Sequence, residues 1–264
     1  MLTVVKNQVR VCLLSVKYNI MREMLNKVTF VTNVLFTMLN NATILVQWFI
    51  LFRLREDVGG YTMREIMLLW GLTAASFGLS HILFARVFSL PELIVSGKLD
   101  SYLVQPKNVL LGVMTSSTDI TAIGDLLYGW GIICISGIGT HGFLLILLFT
   151  GTGAIVFTAF ALLTGSLAFW FVRVEMLGGQ MTMGMVSFAT YPDGIFRGVS
   201  RFLLYFMIPV GMAVWHPVHI VTGFDAGMLV MVLGYTCLLG IVSVIVFYRG
   251  LRRYSSSSLM EARM

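Results

Sequence analysis

The sequence predicts an all-α integral membrane protein, with six membrane-crossing helices behind an N-terminal amphipathic helix. Three observations predict it. Apolar residues make up 58% of the 264 and charged residues only 11%, against roughly 25% charged in an ordinary soluble domain. Mean hydropathy is +0.89, too apolar for a surface that faces water throughout. Charge-free runs of about twenty residues, the length that spans hydrocarbon, recur along the chain.

Residues 1–27 form the first element. Lys6, Arg10, Lys17, Arg22 and Lys27 are scattered through it, whereas a cleavable signal gathers its charges ahead of an unbroken apolar core. On a helical wheel Val5, Val9, Cys12, Val16 and Ile20 share a stripe, with Lys6, Arg10 and Lys17 beside it. The expectation is an interfacial helix held by its apolar face and by attraction to anionic lipid.

The crossings follow. Val28 to Phe52 carries no charge and is crossing one. Ile66 to Ala85 is crossing two. Leu126 to Val172 holds no Asp, Glu, Lys or Arg and is too long for one helix. It breaks at Gly137, Gly139 and Gly142 around Thr140-His141, giving crossings three and four. Ala226 to Tyr248 is the last. Residues 176–224 leave two arrangements open: 176–190 crosses and 194–222 is a re-entrant hairpin, or 202–222 crosses instead. Pro209 and Pro217 interrupt the second run and favour the hairpin, which is tolerable at depth only inside protein or along a cavity. Ala74 with Gly78, and Ala161 with Gly165, have the small-residue spacing that lets helices approach closely.

Lys and Arg concentrate at both ends, which places both termini in the cytoplasm and requires an even number of crossings. Residues 86–107 are then cytoplasmic. Arg53, Arg55 and Arg64 fall outside, as one exception to the rule. The net charge of +6 is spread among such clusters, so it is a topology signal and not a nucleic-acid footprint.

Several chemistries are absent. There is no phosphate-binding P-loop, no H-E-x-x-H and no G-x-S-x-G. Cys12, Cys134 and Cys237 lack metal-ligand spacing. No metal, catalytic residue or cofactor is expected in this chain. Polar residues at membrane depth are costly and are candidates by default. In crossing one these are Asn33, Asn40, Asn41 and Gln47, and the Asn40-Asn41 pair is the candidate substrate path. Interhelical hydrogen bonding is the plainer reading of each. Asp125 is expected near the cytoplasmic boundary. His216 and His219 are expected to hydrogen-bond at the outer boundary.

The cytoplasmic loop FSLPELIVSGKLDSYLVQPKN, residues 88–108, is the most informative segment. Ser89 and Glu92 have capping-box spacing, with Pro91 in the first turn. Gly97 is placed to end that helix, and Pro106 ends the next stretch. Leu99, Tyr102 and Leu103 are the expected apolar contacts to a cytoplasmic partner; lying on lipid is the alternative.

Within it, SGKLDSYLVQP, residues 96–106, resembles the S-G-x-L-D-x-x-L-x-x-P signature of a bacterial family of type 2 ABC transporter permeases. YPDGIFRGVSRFLLYFMIPVGMAVWHP, residues 191–217, resembles that family's later signature through Tyr191-Pro192, Ile208-Pro209 and Trp215-His216-Pro217. Gln105 stands where the family usually has Arg. The resemblance implies a single permease domain over 1–264, six transmembrane helices, and a cytoplasmic coupling helix between crossings two and three. Residues 191–224 would be an outer re-entrant hairpin before crossing six. It implies a bacterial inner-membrane exporter subunit. The ATPase-coupling residues would be Ser89, Glu92, Gly97, Leu99, Asp100, Tyr102, Leu103 and Pro106. The outer motif would be Tyr191, Pro192, Pro209 and Pro217. ATP and Mg would sit on a separate ABC ATPase, present twice, and a second permease chain would complete a homodimer or heterodimer. A drug, lipid or peptide is the expected cargo. The rival classes are an ion-coupled transporter or channel, which needs mid-membrane carboxylates, and an intramembrane enzyme, which needs a convergent nucleophile or metal set.

Overall fold

The computed structural model describes residues 2–171 and 175–255. In chain order the helices are α1 (Leu2–Glu23), α2 (Lys27–Phe52), α3 (Met63–Phe88), α4 (Leu90–Val95), α5 (Asp100–Leu103), α6 (Val109–Met114), α7 (Ala122–Ile135), α8 (Thr140–Ser166), α9 (Glu175–Ala189), α10 (Val199–Phe206), α11 (His216–Thr222) and α12 (Ala226–Leu251). A π-helical turn, Gly211–Trp215, leads into α11. Among the described residues the only β pairing is an isolated bridge between Val58 and Tyr61.

Four spans are long and apolar enough to cross a membrane: Lys27–Phe52, Met63–Val95, Thr140–Phe169 and Ala226–Leu251. The second runs through α3 into α4 over a kink at Phe84. α7 has 14 residues and α9 has 15, each roughly 21–23 Å long at about 1.5 Å per residue. α10 and the π turn with α11 form a pair bent by 70°. Pro209 lies in that bend, where its missing N–H and its steric effect on Ile208 stop α10 from continuing. Pro217 follows directly on the π turn within continuous helical backbone, where its missing N–H removes one helical donor and fits the wider turn before it.

The sequence boundaries are close to those observed. Gly137 takes φ +71, a left-handed conformation that glycine adopts without strain. The chain turns there between α7 and α8. α3 is the central post, with Ile66, Leu69, Leu72 and Ala75 all fully buried. α7 and α8 pack on it. A Cβ on Gly129 of α7 would collide with the backbone of Gly71 and Ala75 in α3, so these two helices touch backbone to backbone. Gly78, one of the small residues of the predicted spacing, meets the backbone of Ala122 and Leu126 in the same way.

α1 is helical as expected, but its predicted apolar stripe does not face outward. Cys12, Val16 and Ile20 are half-buried, and Asn19 Nδ2 donates to the Thr115 carbonyl at 3.2 Å. Val11, Leu13, Tyr18 and Met21 are the exposed apolar side chains. The stripe is shared between bilayer and protein because residues 105–116 supply a second surface. The side chains of Val5, Val9 and Lys6 lie outside the described residues.

The capping box forms elsewhere than predicted. Ser89 precedes α4 but its side chain makes no cap bond. Glu92 turns to Lys98 instead, at 2.7 Å. Thr62 and Glu65 build a complete box at the start of α3, with the Thr62 N–H donating to Glu65 Oε2 at 2.8 Å.

Candidate functional site

Three places along the bundle gather the chemistry: segment 88–108, the polar side chains of α2, and the far end where the α2–α3 loop meets α10 and α11.

Segment 88–108 is two short helices folded on a glycine. Gly97 takes φ +71; its N–H reaches the Ile94 carbonyl at 3.3 Å and the Leu99 N–H reaches Leu93 at 3.1 Å. That reversal ends α4 and starts α5. It also turns Leu99 inward, where it is fully buried with Leu90, Leu93 and Ile94. Tyr102 is half-buried, and its hydroxyl donates to Ser116 Oγ at 2.9 Å. Both were expected on the partner-facing side, and the structure puts them on the inner side. Leu103 at 43% and Val104 at 84% exposure are the outward apolar pair. Asp100 is half-buried beside Tyr254. Glu92, Gln105 and Pro106 are exposed. Below them Pro91 is wedged between Gly165 of α8 and Gly178 of α9; a Cβ on either glycine would lie 3.2 Å from its ring. The segment is thereby rooted in two helices of the bundle.

On α2 the adjacent asparagines part company. Asn41 is buried: its Nδ2 donates to Asp125 Oδ1 at 2.6 Å, and its carbonyl accepts Trp70 Nε1 at 3.2 Å. Asn40 points outward and is exposed, as is Gln47. Asn33, Asn40 and Gln47 recur every seven residues and so share one face of the helix. Asp125 sits against the middle of α2, because residues 115–121 enter the bundle before α7 begins; the Asp119 N–H bonds the His81 carbonyl at 3.2 Å. Asn41→Leu is expected to strand Asp125 without its donor and to lower stability by about 1–3 kcal/mol. Thermal unfolding of the purified variant in detergent checks this, with Asn40→Leu as the outward-facing comparison.

At the far end one carboxylate collects the structure. Asp193 has a side chain only 4% exposed, and Arg201 Nη2 meets its Oδ2 at 2.5 Å. The Tyr205 hydroxyl donates to the same oxygen at 2.9 Å. His219 Nε2 lies 3.4 Å from Oδ1 and 3.0 Å from the Tyr61 hydroxyl. Burial opposes a charge on Asp193, but hydrogen bonds from His219, Tyr205 and Tyr61 outweigh it and hold the carboxyl well below the usual carboxylate range. Burial, reinforced by that charge, pushes the Tyr61 phenol up, so it stays neutral. The predicted motif residues frame this cluster. Tyr191 is half-exposed and its carbonyl accepts Trp215 Nε1 at 2.9 Å. Pro192 is buried against Gly59, and Pro209 and Pro217 are buried in the hairpin. His219 bonds across elements as expected; His216 Nδ1 has no partner among the described residues.

The model of the ABC-2 family transporter protein matches residues 38–258. The chain belongs to the ABC-2 transporter family. No curated protein and no solved structure matches it. The family is that of type 2 ABC transporter permeases, and the match spans α3 through α12 and most of α2. An ABC-2 permease is the membrane component of an ABC transporter and associates with an ABC ATPase.

Sequence reasoning passed over Asp193, Arg201, Tyr205 and Tyr61, whose roles depend on one another. The available signal was Asp193 itself, an acid set between apolar stretches. Among the described residues no group of three or more His, Cys, Asp or Glu could hold a metal ion.

Proposed function

We propose that this ABC-2 permease is the transmembrane subunit of an ATP-driven exporter for amphipathic or hydrophobic cargo: a drug, a lipid or a peptide. It forms one permease domain with six crossings, α2, α3, α7, α8, α9 and α12, in a bacterial inner membrane, with both termini cytoplasmic. Two copies of a separate ATPase hold ATP and Mg, and a second permease chain, identical or related, completes the unit. α10 and α11 are the outer re-entrant hairpin. In support, Tyr205 from one arm and His219 from the other close on the same Asp193, so both arms return to one end.

The observation that carries the reading is the exposed polar face of α2. Only 17% of its most apolar window is buried, yet Asn40 and Gln47 project from it. Hydrocarbon does not solvate carboxamides, so this face is expected to meet a second bundle or a polar path between bundles. ATP binding closes the ATPases, which push on α4 and α5. Pro91 carries that displacement to α8 and α9, and the two bundles rock between discrete arrangements.

The test is transport in vesicles containing the permease and its ATPase. The double variant Asn40→Leu, Gln47→Leu is expected to reduce ATP-dependent cargo flux at least about tenfold with assembly intact; wild-type flux would remove α2 from the path. An ion-coupled transporter is the second reading, favoured by the mid-depth Asp125. Flux that follows a proton gradient without ATP and vanishes in Asp125→Asn would establish it instead.

A further inference from the structure

We propose that α1 and residues 105–116 form a seat for the headgroup of an anionic glycerophospholipid, with Lys107 as its phosphate-binding side chain. Two cavities flank α1. One, about 460 Å³, is lined by Asn7, Gln8, Cys12, Gln105, Lys107 and Asn108, among others. The other, about 420 Å³, is lined by Tyr18, Asn19, Ser116 and again Lys107. Lys107 and Val11 are common to both.

The polar lining is built for an anion. The stem of Lys107 lies over Gly112, its Cε 3.1 Å from where a Cβ would stand. Among the described residues Lys107, Arg10 and Lys17 enter no ion pair, and no Asp or Glu lines either cavity. Asn108 Oδ1 is taken by the Leu111 N–H at 3.2 Å and the Tyr248 hydroxyl at 2.8 Å. Its amide nitrogen is therefore left as a donor. The seat offers a cation and carboxamide donors with no competing carboxylate, which matches a phosphate diester.

The surroundings select a lipid over a free phosphate. Val11, Leu14 and Tyr18 run along the exposed side of α1 at 46%, 39% and 62% exposure, placed to take acyl chains beside the headgroup. Arg10 and Lys17 flank them on the polar side. Amphipathic helices of this charge lie at the headgroup level, and basic pockets at that depth hold anionic headgroups. The family match begins at residue 38, so α1 lies outside the matched region.

Cys12 lines the seat and reports on it. The full chain, with Cys134→Ala and Cys237→Ala, is placed in nanodiscs of phosphatidylcholine alone or with phosphatidylglycerol, and Cys12 is alkylated with an uncharged maleimide. A Cys12→Ala, Leu13→Cys chain provides an exposed thiol on the same helix. Alkylation of Cys12 is expected to slow about fivefold with phosphatidylglycerol, while the thiol at position 13 is unaffected. Lys107→Gln should abolish the protection and Lys107→Arg should keep it. Gln105→Glu, at the exposed rim, should also abolish it by repulsion if Lys107→Gln fails to fold. Native mass spectrometry should show retained phosphatidylglycerol lost in the same variants. Equal alkylation in both membranes, equal slowing at positions 12 and 13, or protection that survives Lys107→Gln or Gln105→Glu would overturn the seat. Protection by soluble glycerol phosphate in phosphatidylcholine nanodiscs would overturn the lipid as its occupant.

Discussion

Asp193→Ala is expected to be the most damaging single substitution at the far end of the bundle, lowering stability by about 2–4 kcal/mol through the hydrogen bonds it removes. The carboxylate is 4% exposed and is held by Arg201, Tyr205 and His219. Removing it takes the acceptor from the buried Tyr205 and Tyr61 hydroxyls and from His219, while the half-exposed Arg201 keeps access to solvent. For a chain of this length the expected fall in Tm is on the order of 10 °C. Transport should fall with it, because the α2–α3 loop, α10 and α11 lose their common anchor. Asp193→Asn keeps the shape and one acceptor, so it should lose less than Asp193→Ala. Thermal unfolding of purified protein in detergent, compared with Arg201→Ala and the double variant, measures the coupling. Additive losses would mean the pair is not a unit.

The pH dependence has a definite sign. Asp193 is ionised more readily in the folded chain than in the unfolded one. Its contribution is therefore complete above the unfolded value, about 4, and is lost as pH falls through the lower folded value. Wild-type stability should decline on acidification below about pH 4 by an amount that Asp193→Ala no longer shows. Across neutral pH this carboxylate contributes a constant amount.

Span ends were readable because hydrocarbon excludes charge: Lys27, Arg53 and Arg64 bracket α2 and the start of α3 closely. The hairpin between α7 and α8 was readable from its glycines. The side each residue faces was harder. Asn40 and Asn41 are adjacent, so helix geometry sets them about 100° apart, and only Asn40 is on the exposed face. Leu99 could not be assigned by periodicity, because the left-handed Gly97 breaks the helix before it and resets the phase. The pairing of Asp125 with Asn41 was hidden because residues 115–121 carry no regular helix to set the register of α7 against α2. The Asp193 cluster joins Tyr61 to His219 across 158 residues, and nothing local in either segment announces that pairing.

The difference between inner and outer sides of segment 88–108 gives the second large prediction. Leu103 and Val104 project outward, so glutamates there would place two charges on the surface proposed to meet the ATPase without entering the core. Leu103→Glu, Val104→Glu is expected to leave folding and membrane insertion unchanged and to cut co-purified ATPase at least about tenfold, since like an interface centre such a patch loses most of its affinity when desolvated charge is forced on it. Leu99→Ala should do the reverse in kind. Leu99 is fully buried among Leu93, Ile94 and Phe169, and truncation opens a cavity costing about 2–5 kcal/mol, so the protein should lose stability before any question of docking arises. Pull-down in mild detergent, with thermal unfolding run on the same samples, separates the two. ATPase recovered at wild-type level with Leu103→Glu, Val104→Glu would move the docking surface off this segment. Loss of ATPase with full stability would support the proposed docking surface at Leu103 and Val104, on a segment rooted in α8 and α9 by Pro91 between Gly165 and Gly178.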